Sequence, residues 1–284
     1  MRRGTFVECV HEVHGVGLRD GGTVVSVGDP GLVASLRSSA KPIQALPLAR
    51  AYPELGDEEL AIAAASHSGT ERHVEAVRKL LAATGGREDE LDCGIQDGRP
   101  AQPIYDNCSG KHAGMIAVCR AHGWPVEGYR RPDHPLQRLL LAEVAAAAEL
   151  DEVGTGVDGC GVVAFAIPLE RAALAFSRLE ELDGGDRVAA AMRAHPVLVG
   201  GDGATDTTLM QQQPGIVAKG GAEGLFCAGG RRMGLALKVA DGNPRALRPA
   251  LAAVGGQLGV PLGAFAEVPI RNRHGEETAV VSVL

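Results

Sequence analysis

The chain has 284 residues, 45% of them hydrophobic, and carries 28 Lys and Arg against 35 Asp and Glu, a net charge of -7. That length buries a sizeable core in one large domain or two lobes. The acidic balance and an aromatic content of 3% exclude the basic footprint and stacking platforms that nucleic acid requires, so no such partner is expected.

Arg2 and Arg3 precede no hydrophobic run, so no secretory or twin-arginine signal is read and a cytoplasmic location is expected. The opening "TFVECVHEVHGVGLRDGGTVVSVGD" alternates loosely about a turn at Arg19 to Gly22, which predicts a β-hairpin or meander. From Ser38 to about Ala51 the pattern is helical, with Pro47 set to kink or end the first stretch. Residues 57–65 and 70–84 predict two more helices, the second amphipathic. "DHPLQRLLLAEVAAAAEL" carries the strongest helical pattern, and Arg138 and Glu143 interrupt it as a membrane span. "DRVAAAMRAHP" predicts a further helix.

The tail returns to strands at "GLFCAGG", "MGLALKVADG" and "ETAVVSVL", with a last helix around "PRALRPALAAVGGQLG". Strands at both ends with helices between predict an α+β fold. Its antiparallel sheet is built from N- and C-terminal strands, with a helical cluster inserted. The single domain divides into a sheet lobe, about 1–35 and 215–284, and a mainly helical lobe, about 36–214.

Six cysteines lie scattered without a C-x-x-C pair. In a reducing compartment a disulfide framework is not expected. Any special cysteine is then a metal ligand or nucleophile, and the others are small buried hydrophobes.

Polar clusters punctuate this Ala- and Gly-rich chain: "RSSAK" (37–41), "ASHSG" (65–69), "DNCSGKHAG" (106–114), "GVDGCG" (156–161) and "VAKGGAEG" (217–224). Ser38 precedes Lys41 by three residues, which on a helix sets an amine beside a hydroxyl. A serine N-cap followed by a solvated lysine would read the same way. Ser-x-x-Lys, then a Ser-rich tripeptide, then Lys-x-Gly is the layout of active-site serine acyl-transfer enzymes. Ser38 would be the nucleophile and Lys41 its base. Ser66 would relay a proton to the leaving group, kept active by Lys219. The Gly-Lys pair at 110–111 lacks the glycine spacing of a phosphate loop, so nucleotide binding is rejected. Cys108 and Cys160, in Gly-rich turns, can converge on a zinc ion or remain two buried thiols.

Together "RSSAKPIQAL", "AASHSG", "DNCSGKHAGM", "PDHPLQ", "VDGCGVVAFAIPLERAALAF", "MRAHPVLVGGDG" and "KGGAEGLF" resemble the asparaginase II family of thermolabile, rhizobial-type L-asparaginases. The resemblance runs from about Glu8 to Ala240. It implies the serine β-lactamase and glutaminase fold and two Ser–Lys tandems, Ser38 with Lys41 and Ser66 with Lys219. It also implies a Zn2+ site of Cys108, Lys111 and Cys160, a homodimer, and a substrate pocket around Arg37, His67 and Asp158. Asp158 suits the ammonium of an α-amino acid.

The departures are "SGTE" where "GE" is common, Pro47 in the first helix, Asp206 where rhizobial members carry cysteine, and a stop at Leu284 earlier than in some members. The reading is an L-asparaginase that supports substrate binding with zinc. Its rivals are a glutaminase or β-lactam-type amidohydrolase on the same fold, and a non-catalytic zinc- or amino-acid-binding protein.

Overall fold

The computed structural model describes residues 1–284. The strands are β1 (Arg2–Arg3), β2 (Phe6–Val7), β3 (Val13–Arg19), β4 (Gly22–Val27), β5 (Val33–Ser35), β6 (Gly154–Val157) and β7 (Val163–Pro168). They continue with β8 (Val217–Gly220), β9 (Leu225–Gly230), β10 (Met233–Val239), β11 (Val268–Arg271) and β12 (Glu277–Val281). The helices are α1 (Lys41–Gln44), α2 (Leu46–Ala51), α3 (Asp57–Ala63), α4 (Glu71–Thr84), α5 (Ser109–Ala121) and α6 (Pro135–Ala148). After them come α7 (Leu169–Ser177), α8 (Gly185–Ala194), α9 (Pro196–Gly200), α10 (Thr205–Gln212) and α11 (Leu247–Gln257).

The central antiparallel sheet runs β4-β3-β10-β9-β8, so N- and C-terminal strands share one sheet as the patterning predicted. Strands β9 and β10 are buried along nearly their whole length, because α7 covers one face of the sheet and α11 meets β3 and β10. Gly229 and Gly234 make the first contact possible. A Cβ on either would come within 2.0 Å of the α7 carbonyls of Phe176 and Ala173, so the helix backbone lies directly on the strands.

Two smaller sheets were not foreseen. One, ordered β11-β12-β1-β2, joins the chain ends, and in the other, β5-β7-β6, two of the three strands lie inside the segment read as helical. The short runs "VAS" and "GTGV" carry too little alternation to stand out. The β5-β7-β6 sheet matters for the site, because its outer ends lead into Arg37 and Asp158.

Helices α3, α4, α5 and α8 pack together beside the sheet, within one continuous hydrophobic core. Pro47 does break the first helical stretch: α1 ends at Gln44 and α2 restarts at Leu46 with Pro47 in its first turn, where proline is tolerated. No helix is long and apolar enough to cross a membrane.

Candidate active site

The segment after β5 opens the site. Leu36 N–H still donates to Phe165 O of β7 at 2.7 Å, and then Arg37 takes a left-handed φ of 46°. That conformation costs a non-glycine residue about 1–3 kcal/mol and persists only where its surroundings fix it. Here Arg37 Nε donates to Asp158 Oδ1 at 2.8 Å. The turn swings residues 37–40 into a short 3₁₀ helix that leads into α1. Ser39 Oγ pins this turn to the sheet edge by donating to Lys219 O at 2.7 Å.

Lys41 is fully buried. Its Nζ lies 2.6 Å from Ala65 O, 3.4 Å from Asn107 O and 2.8 Å from Ser66 Oγ. Burial is the largest influence on this amine and pulls its pKa below the usual lysine value of 10.5. Lys111 and Lys219 push the same way, against the opposing Cys108 and Cys160 thiols. A neutral amine has two N–H donors and one lone pair. The three oxygens around Nζ are acceptors as placed; once the amine is neutral, two N–H groups remain for the carbonyls and the lone pair is free for Ser66. The loop holding Ser66 is fixed by backbone bonds, Ser66 N–H to Val199 O at 2.8 Å and His67 N–H to Asn107 O at 3.2 Å.

Lys219 has a different companion. Its Nζ lies 3.1 Å from Asp206 Oδ2 and donates to Gly220 O at 3.0 Å, with both members of the ion pair buried. Burial would raise the Asp206 carboxyl, but the Lys219 ammonium and the N–H groups of Gly220 and Thr207 outweigh it and hold the pKa below the ordinary value. The hydrogen-bonded Ser–Lys pair is therefore Lys41 with Ser66. Lys219 is bound to a carboxylate, and its charge reaches Lys41 across the pocket.

Ser38 is half-buried at the mouth, as are Arg37, Ser66 and Asp158. Asp158 Oδ1 accepts from Arg37 and from Gly159 N–H at 2.7 Å. Burial opposes the Asp158 charge, yet Lys111, Arg37 and this N–H bring its pKa below the usual carboxylate value.

His67 departs from the expected substrate-contacting role. Its ring is buried, Nδ1 accepts from Gly69 N–H at 3.2 Å, and Nε2 sits 2.9 Å from Ser109 Oγ. With Nδ1 accepting, Nε2 carries the proton and donates to Ser109, whose hydroxyl passes its own to Ile104 O at 2.8 Å. Burial and the stacked His73 ring keep the imidazole neutral. Both ring nitrogens are engaged inside the protein. His67 is a positioning residue for the Ser66 loop.

Cys108, at the start of α5, meets Lys111 one turn on and Cys160 after β6. Lys111 Nζ donates to Cys160 Sγ at 3.1 Å. All six cysteines are free thiols. Cys108 falls well below the ordinary thiol pKa through its hydrogen bond with Cys160, while that same bond and burial drive Cys160 up, so one proton serves the pair. Burial works against the Lys111 ammonium, but the two sulfurs prevail and raise its pKa. Two sulfurs and a nitrogen gathered here are the kind of donor set that a divalent ion such as zinc takes. The thiols of Cys93 and Cys227, raised by burial to about 12, and Cys119, raised to about 11, are inert core groups.

A family model described as L-asparaginase II matches residues 1–283. The chain belongs to the L-asparaginase II family.

No curated protein sequence ranks as a match. Among solved structures the chain is similar to native Mglu, with a TM-score of 0.51 and 12% identity over 88% of this chain and 65% of that one. The chain thus spans 65% of that neighbour's length. A putative β-lactamase from Bacteroides dorei DSM 17855 gives 0.47 and 9% over 89% and 94% of the two chains. A Bacillus glutaminase crystallised in 4.3 M NaCl gives 0.42 and 12% over 88% and 91%. At these identities a likeness bears on fold alone, and the first of the three carries it.

The residue that sequence reasoning undervalued is Asp206. It stands out in "GATDTT" as a charged group in an otherwise uncharged stretch. A lysine buried on a strand demands an anionic or hydrogen-bonding companion. That rule is the signal by which the pair can be sought.

Proposed function

We propose that this member of the L-asparaginase II family is an amidohydrolase, an L-asparaginase that converts L-asparagine to L-aspartate and ammonia through a seryl acyl-enzyme. The observation that carries the reading is the buried Lys41 amine, 2.8 Å from the Ser66 hydroxyl and surrounded by neutral oxygens, with no carboxylate beside it. Burial lowers the pKa of an amine so held and makes it a readier base than an ordinary lysine.

Ser38 is the acylated hydroxyl. It lies three residues before Lys41 in a 3₁₀ turn, where such positions eclipse one another. Its neighbour Ser39, and not Ser38, gives its hydroxyl to the sheet. Lys41 takes the Ser38 proton as Oγ attacks the side-chain amide carbon. The proton then passes from Lys41 through Ser66 to the departing nitrogen, and the C–N bond breaks to release ammonia. Water, deprotonated along the same route, attacks the ester and frees aspartate, returning a proton to Ser38.

The Lys219 ammonium, fixed by Asp206, orients Ser66 and supplies positive potential to the pocket. Asp158 keeps Oδ2 for the substrate ammonium, and Arg37 faces the α-carboxylate. Cys108, Lys111 and Cys160 would hold zinc, with Lys111 giving up its proton to ligate. When bound, the ion supplies a fixed positive charge that favours an anionic substrate group.

Ammonia release from asparagine, with glutamine in parallel, tests the activity. Asparagine should be the preferred substrate, and Ser38→Ala should lower turnover by several orders of magnitude while the fold survives. A folded Ser38→Ala protein with near-normal activity would transfer the nucleophile's role to Ser66. For the metal, elemental analysis should find zinc in the parent protein and a marked loss in both Cys108→Ala and Cys160→Ala. Equal content in all three would rule the site out.

A further inference from the structure

Between α4 and α5 an irregular stretch carries Gln96 and Arg99, two polar side chains that reach back to the backbone around Lys41 and Ser66. The Arg99 guanidinium donates through Nη1 to Tyr105 O at 2.7 Å and through Nη2 to His67 O at 3.2 Å. Gln96 Oε1 accepts from Asn107 N–H at 3.2 Å. The peptide units so held are those that frame the pocket. Asn107 O lies 3.4 Å from Lys41 Nζ and accepts from His67 N–H, and His67 follows Ser66 directly.

The Ser66 loop depends on such support. Ser66 and His67 each give a backbone N–H to a neighbouring segment, but Ser68 and Gly69 make no backbone–backbone bond before α4 begins. His67 O is held by Arg99. Gly69 adopts a left-handed φ of 69°, and a Cβ there would come within 2.8 Å of both Arg99 Nη1 and Tyr105 O. Glycine thus meets the backbone angle and leaves room for the guanidinium against the loop.

Arg99 forms no ion pair, and burial lowers its pKa against the opposing Asp106 and Cys108. A guanidinium partly removed from water without a carboxylate partner depends on the carbonyls it meets. Its rigid fork can span two carbonyls from separate segments, a geometry that a flexible lysine does not reproduce.

We propose that Arg99 is a positioning residue for the amide hydrolysis, fixing the Ser66 hydroxyl against the Lys41 amine, with Gln96 as a weaker second arm. The inference rests on the Ser38–Lys41–Ser66 reading of the site. Arg99 touches no reacting atom in this role. It holds the carbonyl next to Ser66, so its loss lets the loop drift and lengthens the 2.8 Å contact between Ser66 and Lys41. A misplacement of about 1 Å costs on the order of a hundredfold in rate.

Asparagine and glutamine hydrolysis are measured in the parent, Arg99→Met, Arg99→Lys and Gln96→Ala proteins, with circular dichroism to confirm the fold. Arg99→Met should lower kcat by about a hundredfold and leave KM near the parent value. Arg99→Lys should keep an intermediate rate, and Gln96→Ala should show the smallest fall. Guanidinium chloride below its denaturing range should restore part of the turnover of Arg99→Ala, which a loss of stability alone would not allow. Hydrogen exchange needs no substrate: the Ser66 and His67 amides should exchange faster in Arg99→Met, with the central sheet unchanged. If the parent protein leaves both amides intact, the asparaginase reading falls and exchange alone decides the role of Arg99. Parental kcat in a folded Arg99→Met protein, a raised KM with kcat retained, or parental exchange at Ser66 and His67 would overturn the proposal.

Discussion

Lys41 and Lys219 share a residue type, a pocket and a degree of burial, at 0% and 1% exposure. They differ in what surrounds the nitrogen. Lys41 meets two carbonyls and a hydroxyl, all neutral. Lys219 meets a carboxylate at 3.1 Å. Burial penalises a charge unless a counter-charge offsets it. The first environment favours loss of a proton and suits a base, while the second sets the nitrogen against a carboxylate and suits a fixed cation. A pocket with both can move a proton and stabilise negative charge without asking one side chain to do the two jobs. The difference lies in a single residue, Asp206, on the helix α10 that precedes the strand of Lys219.

Removing the base should break the comparison most severely. Lys41→Met keeps the apolar stem and deletes the amine, and turnover should fall by about 10²–10⁴-fold or more. Circular dichroism should show the fold retained. In the parent protein, activity should decline as pH falls through the depressed Lys41 pKa, because only the neutral amine accepts a proton.

Stability has its own sign on this limb. Below the folded-state pKa both folded and unfolded lysines are charged, and the folded protein bears the whole burial penalty. That penalty is relieved as pH rises from the folded value toward the ordinary 10.5. Lys41→Met should abolish this alkaline gain in denaturant stability. A Lys41→Met enzyme with ordinary turnover would remove the amine from the chemistry.

Much of this architecture is legible in the sequence, for unequal reasons. The five-stranded sheet declares itself because its strands are bounded by glycine turns, and the shared edge of β3 and β10 follows from strands at both ends of the chain. The helix of residues 135–148 was readable from its apolar repeat and its Pro at the first position. Sheet β5-β7-β6 escaped because its outer strands are short and largely exposed.

At the site, the motifs named the residues in play, but spacing alone did not reveal all of their hydrogen-bond partners. Ser38 and Lys41 are close in sequence, yet the Lys41 amine reaches across to Ser66, twenty-five residues on. His67 sits between two serines in a polar tripeptide and is expected at the substrate pocket. Its environment is set by α5 and His73, which no local pattern reveals. Pairings across a fold depend on where the elements pack, and that is the part a linear motif omits.

Altering Asp206 sharpens the other half of the comparison and should act mainly on stability. Asp206→Ala leaves the Lys219 ammonium buried without its counter-charge, a change that costs about 3–5 kcal/mol when one partner of a buried pair is lost. Asp206→Asn should cost less, since an amide oxygen at the Oδ2 position can still accept from Lys219 Nζ and Gly220 N–H, now 3.1 and 3.2 Å away. The acid limb separates charge from shape. Because the folded Asp206 pKa is depressed, its contribution is complete above the unfolded value near 3.8 and is lost as pH falls through the folded one. The Asn variant has nothing to titrate there, so its loss relative to the parent should shrink as the medium is acidified, as read by urea unfolding at a series of pH values. A constant difference between parent and Asn variant at every pH would mean that the carboxylate holds Lys219 by shape alone, and that the two lysines do not differ in charge.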